Sequence, residues 1–390
     1  GSTGNGTLSD PYKSWSSVSW VAGKSYFQKR GTTFTGIINI NASGTSGNEI
    51  IIGSYGTDET RPILTYGSTS DDAIYANGSY LQFYELTFYN SKYGIEMATG
   101  SSTLTNCLFT DLTFYNCSSN GALYSKRHGD TYESNASYDR IFDVESYSNG
   151  SHGIKLELGH VYVRNVKTYS NSAIGLSLPS WGCCDTLVGV LSYSNSQAGI
   201  ELSAKYHDIS YSLVRNNYRN IILDDPGSSY STIRKNYLGA TTGSYSLYLR
   251  GIGDVTDCSD CSDITIEDNI ITGNTSTKLA GIAIGYDYNN VIIRRNKIYN
   301  NYYGILIGDG SGVTVNNVSI YSNIFYSNIS KSIYGIAGSN IKIYNNTIDD
   351  VVVNMVGTST DTLFNCYFKS ITELSNSYTN IDIDTITTSN

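Results

Sequence analysis

One short phrase, Gly-Ile-x-Leu or a near variant, recurs along most of this chain. It stands at Gly94-Ile95-Glu96-Met97, Gly121-Ala122-Leu123-Tyr124, Gly153-Ile154-Lys155-Leu156, Gly175-Leu176-Ser177-Leu178 and Gly199-Ile200-Glu201-Leu202. Further copies begin at Asn220, Ser246, Gly281, Gly304 and Gly335, and successive starts lie 21 to 35 residues apart, with a floor of 21 to 24. An asparagine leads most copies by four residues (Asn90, Asn149, Asn171, Asn195, Asn300), and Asn116 leads by five. Ahead of it runs a short alternating segment such as Val161-Tyr162-Val163-Arg164-Asn165-Val166. Each repeat therefore holds two or three strands of period two, separated by sharp bends at Asn and Gly, which both tolerate left-handed backbone angles.

A period near 22 built only of short strands predicts the coils of a parallel β-helix, stacked about 4.8 Å apart. Leucine-rich repeats share the period, but their helical half is missing, and a propeller needs a period above about 40. Inward Ile, Leu and Val would fill the bore, and recurrent Asn at one bend would stack into a hydrogen-bonded ladder. The chain of 390 residues is 39% apolar, enough for a long core, and no run approaches the ~18 apolar residues of a membrane helix. Only 15% of residues are charged, the net charge is -9, and no Lys/Arg block exists to neutralise phosphates, which excludes nucleic acid as the natural partner. A surface rich in Tyr (35 residues), Ser, Thr and Asn suits a neutral, hydroxyl-rich ligand such as a glycan. Ten Asn-x-Ser/Thr sequons and an opening without a signal peptide fit a mature extracellular product.

The N-terminal stretch includes Tyr26-Phe27-Gln28-Lys29-Arg30-Gly31-Thr32-Thr33-Phe34-Thr35-Gly36 and Gly44-Thr45-Ser46-Gly47-Asn48-Glu49-Ile50. Over residues 10–66 it resembles the opening coils of right-handed parallel β-helix proteins of the pectate-lyase-like superfamily; beyond that the likeness is one of pattern. The resemblance implies an all-β, single-stranded right-handed parallel β-helix of about twelve coils, with residues 1–36 as an N-terminal cap region and 37–390 as the helix. It implies an extracellular polysaccharide lyase, glycosidase or epimerase, or else a phage tailspike or adhesin, which would be a non-catalytic glycan binder and, if tailspike-like, a trimer. Fold alone does not choose among these.

In the repeated phrase the apolar pair points inward, so the residue between points out. Read this way, the outward column is Glu96, Leu123, Lys155, Ser177, Glu201, Ile222, Tyr248, Ala283 and Leu306, with a second column, two residues on, of Ala98, Ser125, Glu157, Pro179, Ser203, Asp224 and Arg250. Ionisable groups gather in the coils from 94 to 224, all four histidines (His128, His152, His160, His207) fall there, and an insertion, Lys126-Arg127-His128-Gly129-Asp130, lies beside them. Lyase chemistry on an acidic sugar needs a base, a cation for the carboxylate and an acid for the leaving oxygen. The expected catalytic set is Lys155 as base with Arg127, His128 and Glu157. Lys126 would help hold the carboxylate, Tyr124 or Tyr147 would be the acid, and Trp181 and Glu201 would contact sugar. The plainer alternative is a solvated ion-pair network among Lys155, Glu157 and Glu201. Hydrolysis would need a second carboxylate near Glu157, with Asp130, Asp139 and Asp143 as candidates.

Ser151-His152-Gly153-Ile154 resembles the "gly-his-gly-ile" element of polygalacturonase-type glycosidases, but their paired aspartates have no counterpart, so His152 reads as a structural turn residue. The aspartate-rich calcium site of pectate lyases is also unmatched. No cofactor is expected; Asp254, Asp257, Asp260 and Asp263 form an acidic loop of the kind that takes Ca²⁺, though such loops are more often solvated. Of seven cysteines, Cys258 and Cys261 form one CxxC without a second ligand pair for zinc, and Cys183-Cys184 are adjacent, which suits a local disulfide or free thiols. Cys107, Cys117 and Cys366 read as small core fillers. Tyr89, Tyr115, Tyr147, Tyr169 and Tyr193 recur near one bend, either as a self-stacking ladder or as a platform for sugar rings.

Overall fold

The computed structural model describes residues 6–382 apart from 13, 98–103, 126–136, 180–182, 225–227, 251–261, 286–287, 310–314, 350–352, 356–357, 360 and 369–377. Among the described residues the chain winds through three parallel sheets of 17, 14 and 13 strands, strands pairing with their counterparts in the adjacent coils. One coil shows the plan. Arg140–Phe142 lies in the first sheet, Glu145–Tyr147 in the second and Ile154–Leu156 in the third. The next repeats it with Tyr162–Arg164, Lys167–Tyr169 and Leu176–Leu178. Winding starts within the stretch assigned from sequence to the cap: Ser25–Lys29 pairs with the strand Ile50–Tyr55, and Thr33–Thr35 with Ile63–Thr65. Before them Trp15 and Trp20 stack 5.9 Å apart, and Trp15 closes onto the end of the core.

Strand register places Ile95, Leu123, Ile154, Leu176, Ile200, Ile221 and Leu247 in one column along the third sheet, all facing the bore and fully buried. One expectation needs correction here. Leu123 pairs with Ile95 and Ile154 and points inward, so the outward residue of that coil is Tyr124, and Ser125 lies inward between Met97 and Leu156. The cause is local: Ala122, not Gly121, takes the place held elsewhere by the glycine of the phrase, which shifts the strand by one residue and exchanges its faces.

The bends explain the recurrent asparagines. Nδ2 of Asn149 donates to Oδ1 of Asn171 at 2.9 Å, Asn171 to Asn195 at 2.9 Å and Asn195 to Asn217 at 2.9 Å. Each acceptor oxygen also takes the backbone N–H of the previous coil, so the ladder satisfies buried turn groups that would otherwise be orphaned. A second ladder runs Asn236, Asn269, Asn296, Asn323, Asn346. Asn90, Asn116 and Asn300 are not rungs: they are the left-handed residue one position earlier, with φ of 46°, 56° and 53°. The ladder also explains the glycine of the phrase. A Cβ on Gly175 would lie 2.7 Å from Nδ2 of Asn195, and one on Gly199 would lie 2.6 Å from Nδ2 of Asn217.

Cys107, Cys117 and Cys366 are buried. Cys117 extends the first ladder, its N–H donating to Asn149 at 2.9 Å, and burial pushes its thiol up to about 12. Among the described residues no helix is long and apolar enough to cross a membrane.

Candidate functional site

The outer face of the third sheet carries, coil by coil, Glu96, Tyr124, Lys155, Ser177, Glu201, Ile222 and Tyr248. Strand alternation alone sets this order, because each flanking apolar pair is committed to the bore. Tyr124 and Lys155 are directly paired neighbours. Lys155 Nζ donates to Glu157 Oε1 at 3.0 Å, and both side chains are only 20% exposed. Tyr124 is 7% exposed and its ring stacks on Tyr93 with centroids 4.8 Å apart. Burial, together with the carboxylates of Glu157 and Glu96, holds its phenol above the usual tyrosine range, so it stays a proton donor.

Three of the residues expected from sequence, Tyr124, Lys155 and Glu157, therefore converge. Glu201 joins the same column, accepting from Ser177 Oγ at 2.8 Å, and burial raises its carboxyl. Tyr147 lies elsewhere. It belongs to the second sheet, stacked between Tyr115 at 5.4 Å and Tyr169 at 4.9 Å. Lys126, Arg127, His128, Trp181 and the acidic loop Asp254 to Asp260, with Cys258 and Cys261, lie outside the described residues.

His152 sits at the edge of the column. Its Nδ1 is 3.0 Å from Ser151 Oγ, and it also bonds the Asn120 backbone. Burial and then the charge of Lys155 lower its pKa to about 4, so the ring is neutral near pH 7. Of the carboxylates weighed for hydrolysis, Asp139 is buried and accepts the Cys107 N–H at 2.7 Å, and Asp143 accepts from Asn165 at the bend between the first and second sheets.

Several groups at the site had no role assigned from sequence. Asp72, 2% exposed, shares a hydrogen bond with Glu96; burial, then that bond, pushes its carboxyl up to about 8. Its Oδ1 has no partner among the described residues. Two coils past Lys155, a pocket of about 280 Å³ is lined by Glu201, Gln197, Tyr218, Arg219, Ile222 and Arg250 among others. Arg250 Nε donates to Asp224 at 2.9 Å. Arg219 lies over the rings of Tyr218 and Tyr248, 5.1 and 5.7 Å from their centroids, and its buried Nε has no partner among the described residues. Asp72 stands in a connection, where the phrase gives no side, and Arg219 stands before the variant copy at Asn220. Neither is marked by the period; only the fold brings them to the column.

Three-sheet coils with an ionisable column on one outer face define a parallel β-helix protein. The chain belongs to the right-handed β-helix family: the model of the "Right handed beta helix region" matches residues 159–320 and 255–387, more than half of the sequence. Among solved structures it is similar to the A-module of the Azotobacter vinelandii mannuronan C-5 epimerase AlgE6, at 13% identity and a TM-score of 0.55, covering 93% of this chain and 90% of that one. It is also similar to the N-terminal fragment of bacteriophage phi29 gene product 12 (13% identity, TM-score 0.57, 89% and 62% covered). The xylose complex of XylC matches as well (10% identity, TM-score 0.55, 99% and 85% covered). At such identities the likeness is one of fold. No curated protein matches the chain in sequence.

Proposed function

We propose that the chain is an extracellular enzyme that binds an acidic polysaccharide along the outer face of the third sheet and removes the proton next to a sugar carboxylate. The observation that carries this reading is the juxtaposition of Lys155, oriented by Glu157 at 3.0 Å, with the protonated Tyr124 on the neighbouring strand. An amine and a phenol side by side on one face can serve one sugar ring: Lys155, once it has released its ammonium proton to solvent, takes the sugar proton, and the phenol protonates the leaving oxygen. In such a step the C–H and C–O bonds break, a C=C bond forms, and the proton gained by Lys155 is balanced by the one given by Tyr124. Arg219 and Arg250, three and four coils on, would hold carboxylates further along the polymer, and arginine suits that task through its two-point geometry. Arg127, His128, Lys126 and Trp181 remain part of the proposed site by sequence position.

The arrangement favours lyase-type proton transfer over hydrolysis. Glycoside hydrolysis asks for two carboxyls about 5–5.5 Å or 6.5–9.5 Å apart across the sugar bond. Asp72 and Glu96 instead bond each other directly, and burial keeps the Asp72 carboxyl raised. The similar mannuronan C-5 epimerase is named for an acidic sugar polymer, which accords with the substrate class.

The test is a panel of acidic and neutral polysaccharides incubated with wild type, Lys155→Ala and Lys155→Arg, read by ultraviolet absorbance for unsaturated ends. Arginine keeps the charge but does not give up its proton. Both variants are expected to lose about 100-fold or more in kcat on an acidic polymer. Full activity in Lys155→Arg would remove Lys155 as the base. Glycan binding without any product would make the groove a binding surface.

A further inference from the structure

We propose that His160, Cys183 and Cys184 form a binding site for a thiophilic divalent cation of the zinc class, at the bend between the third and first sheets. His160 Nε2 lies 3.5 Å from Cys183 Sγ, and the sulfurs of Cys183 and Cys184 are 2.8 Å apart. All three donor atoms fall within 4.8 Å of one another, and all three residues are half-buried. Two thiols and an imidazole are the donor set of zinc and other soft or borderline cations rather than of calcium or magnesium.

The scaffold is fixed before any ion arrives. His160 N–H donates to Cys183 O at 2.6 Å, and Cys184 N–H to Lys205 O at 2.9 Å, so the stacking of coils sets the relative position of imidazole and thiols. His160 and Cys184 both occupy the left-handed position of this bend, with φ of 57° and 65°. In neighbouring coils the position holds tyrosines, and the rings stack: Tyr138 on His160 at 4.8 Å and Tyr206 on Tyr230 at 5.0 Å. Cys184 interrupts that stack with a small side chain at the same left-handed position.

One of the two distances is already that of a metal-bridged pair. Metal–sulfur bonds of about 2.3 Å and metal–nitrogen bonds of about 2.0–2.1 Å at a tetrahedral angle put S and N about 3.5 Å apart. The Cys183–His160 separation has that value already. The two sulfurs must open by about 1 Å, which rotation about the Cα–Cβ bonds supplies. Binding displaces two thiol protons, and the complex of one dication with two thiolates and a neutral imidazole carries no net charge, so half-burial costs it little. Three protein donors leave a fourth position for water or an outside ligand. Cys107, Cys117 and Cys366 offer no comparable site: burial raises each of their thiols.

Reduced full-length protein titrated anaerobically with Co²⁺ tests the assignment. The expected result is one cobalt per chain, with thiolate-to-cobalt charge-transfer absorption and the visible bands of a tetrahedral ion, all abolished by added Zn²⁺. Cys183→Ser and His160→Gln should each weaken uptake at least about tenfold, while circular dichroism stays that of wild type. A Cys258→Ser/Cys261→Ser variant should bind as wild type does. Absence of the charge-transfer band in reduced protein would overturn the site, as would its loss in the Cys258/Cys261 variant or its persistence in Cys183→Ser.

Discussion

Asp139 shows how a single buried carboxyl can set the pH response of this molecule. Burial pushes it up to about 7, outweighing the hydrogen bonds from the Cys107 N–H and from Ser137. Its folded pKa therefore stands above the unfolded value of about 3.9. The stabilisation it allows is complete below about pH 4 and is lost as pH rises through about 7. Asp139→Asn keeps the oxygen that accepts from Cys107 and cannot ionise. Urea unfolding should find this variant more stable than wild type by on the order of 2–4 kcal/mol at about pH 8, with the difference shrinking toward about pH 4. An equal difference at both pH values would contradict the assignment. At this scale the sequence was informative where strand parity applied, as at Lys155 and Glu157. It was silent at Asp72 and Arg219, and it weighed Asp139 as a catalytic carboxylate without seeing its burial, because burial or direction at these positions depends on neighbouring coils. At Tyr124 it was wrong about which residue of the coil faces outward, because an alanine replaced the expected glycine.

At the scale of elements, the asparagine ladder and the tyrosine stack make different demands. Asn171 Oδ1 accepts from both the backbone and the side chain of Asn149, and its Nδ2 donates to Asn195. Asn171→Ala strands several buried polar groups at once. It should lower the free energy of unfolding by about 2–4 kcal/mol, since each unmet buried group costs about 1–3 kcal/mol. The tyrosine stack on the second sheet is expected to cost less to disturb. Tyr169 lies between Tyr147 and Tyr193, each 4.9 Å away, and its ring is also covered by Lys167 at 4.6 Å. Tyr169→Leu should cost about 0.5–1.5 kcal/mol and leave activity on an acidic polymer unchanged, because the proposed groove is on another sheet. A large fall in activity would move the substrate onto the tyrosines. The ladder was legible as a recurring Asn, but not its rung. Two adjacent positions both favour Asn, one for left-handed backbone and one for hydrogen bonding, and the sequence mixes them.

At the scale of the whole molecule, the repeat was the readable quantity. Glycine, aliphatic pair and bend return in most coils because each coil meets similar neighbours above and below. The groove is different. As proposed, it is made by residues that break the repeat: one lysine and one buried tyrosine in a column that turns apolar at Ala283 and Leu306, with two arginines beside that column. Periodicity locates such a column but assigns no chemistry to it. The most direct test of the account is exchange in deuterated water. Wild type is incubated with a uronic acid polymer and the products are read by nuclear magnetic resonance. The account predicts deuterium on the carbon bearing the carboxylate, or unsaturated chain ends at that sugar, and neither in Lys155→Arg. Release of reducing ends from a neutral polymer, with no exchange beside any carboxylate, would contradict it.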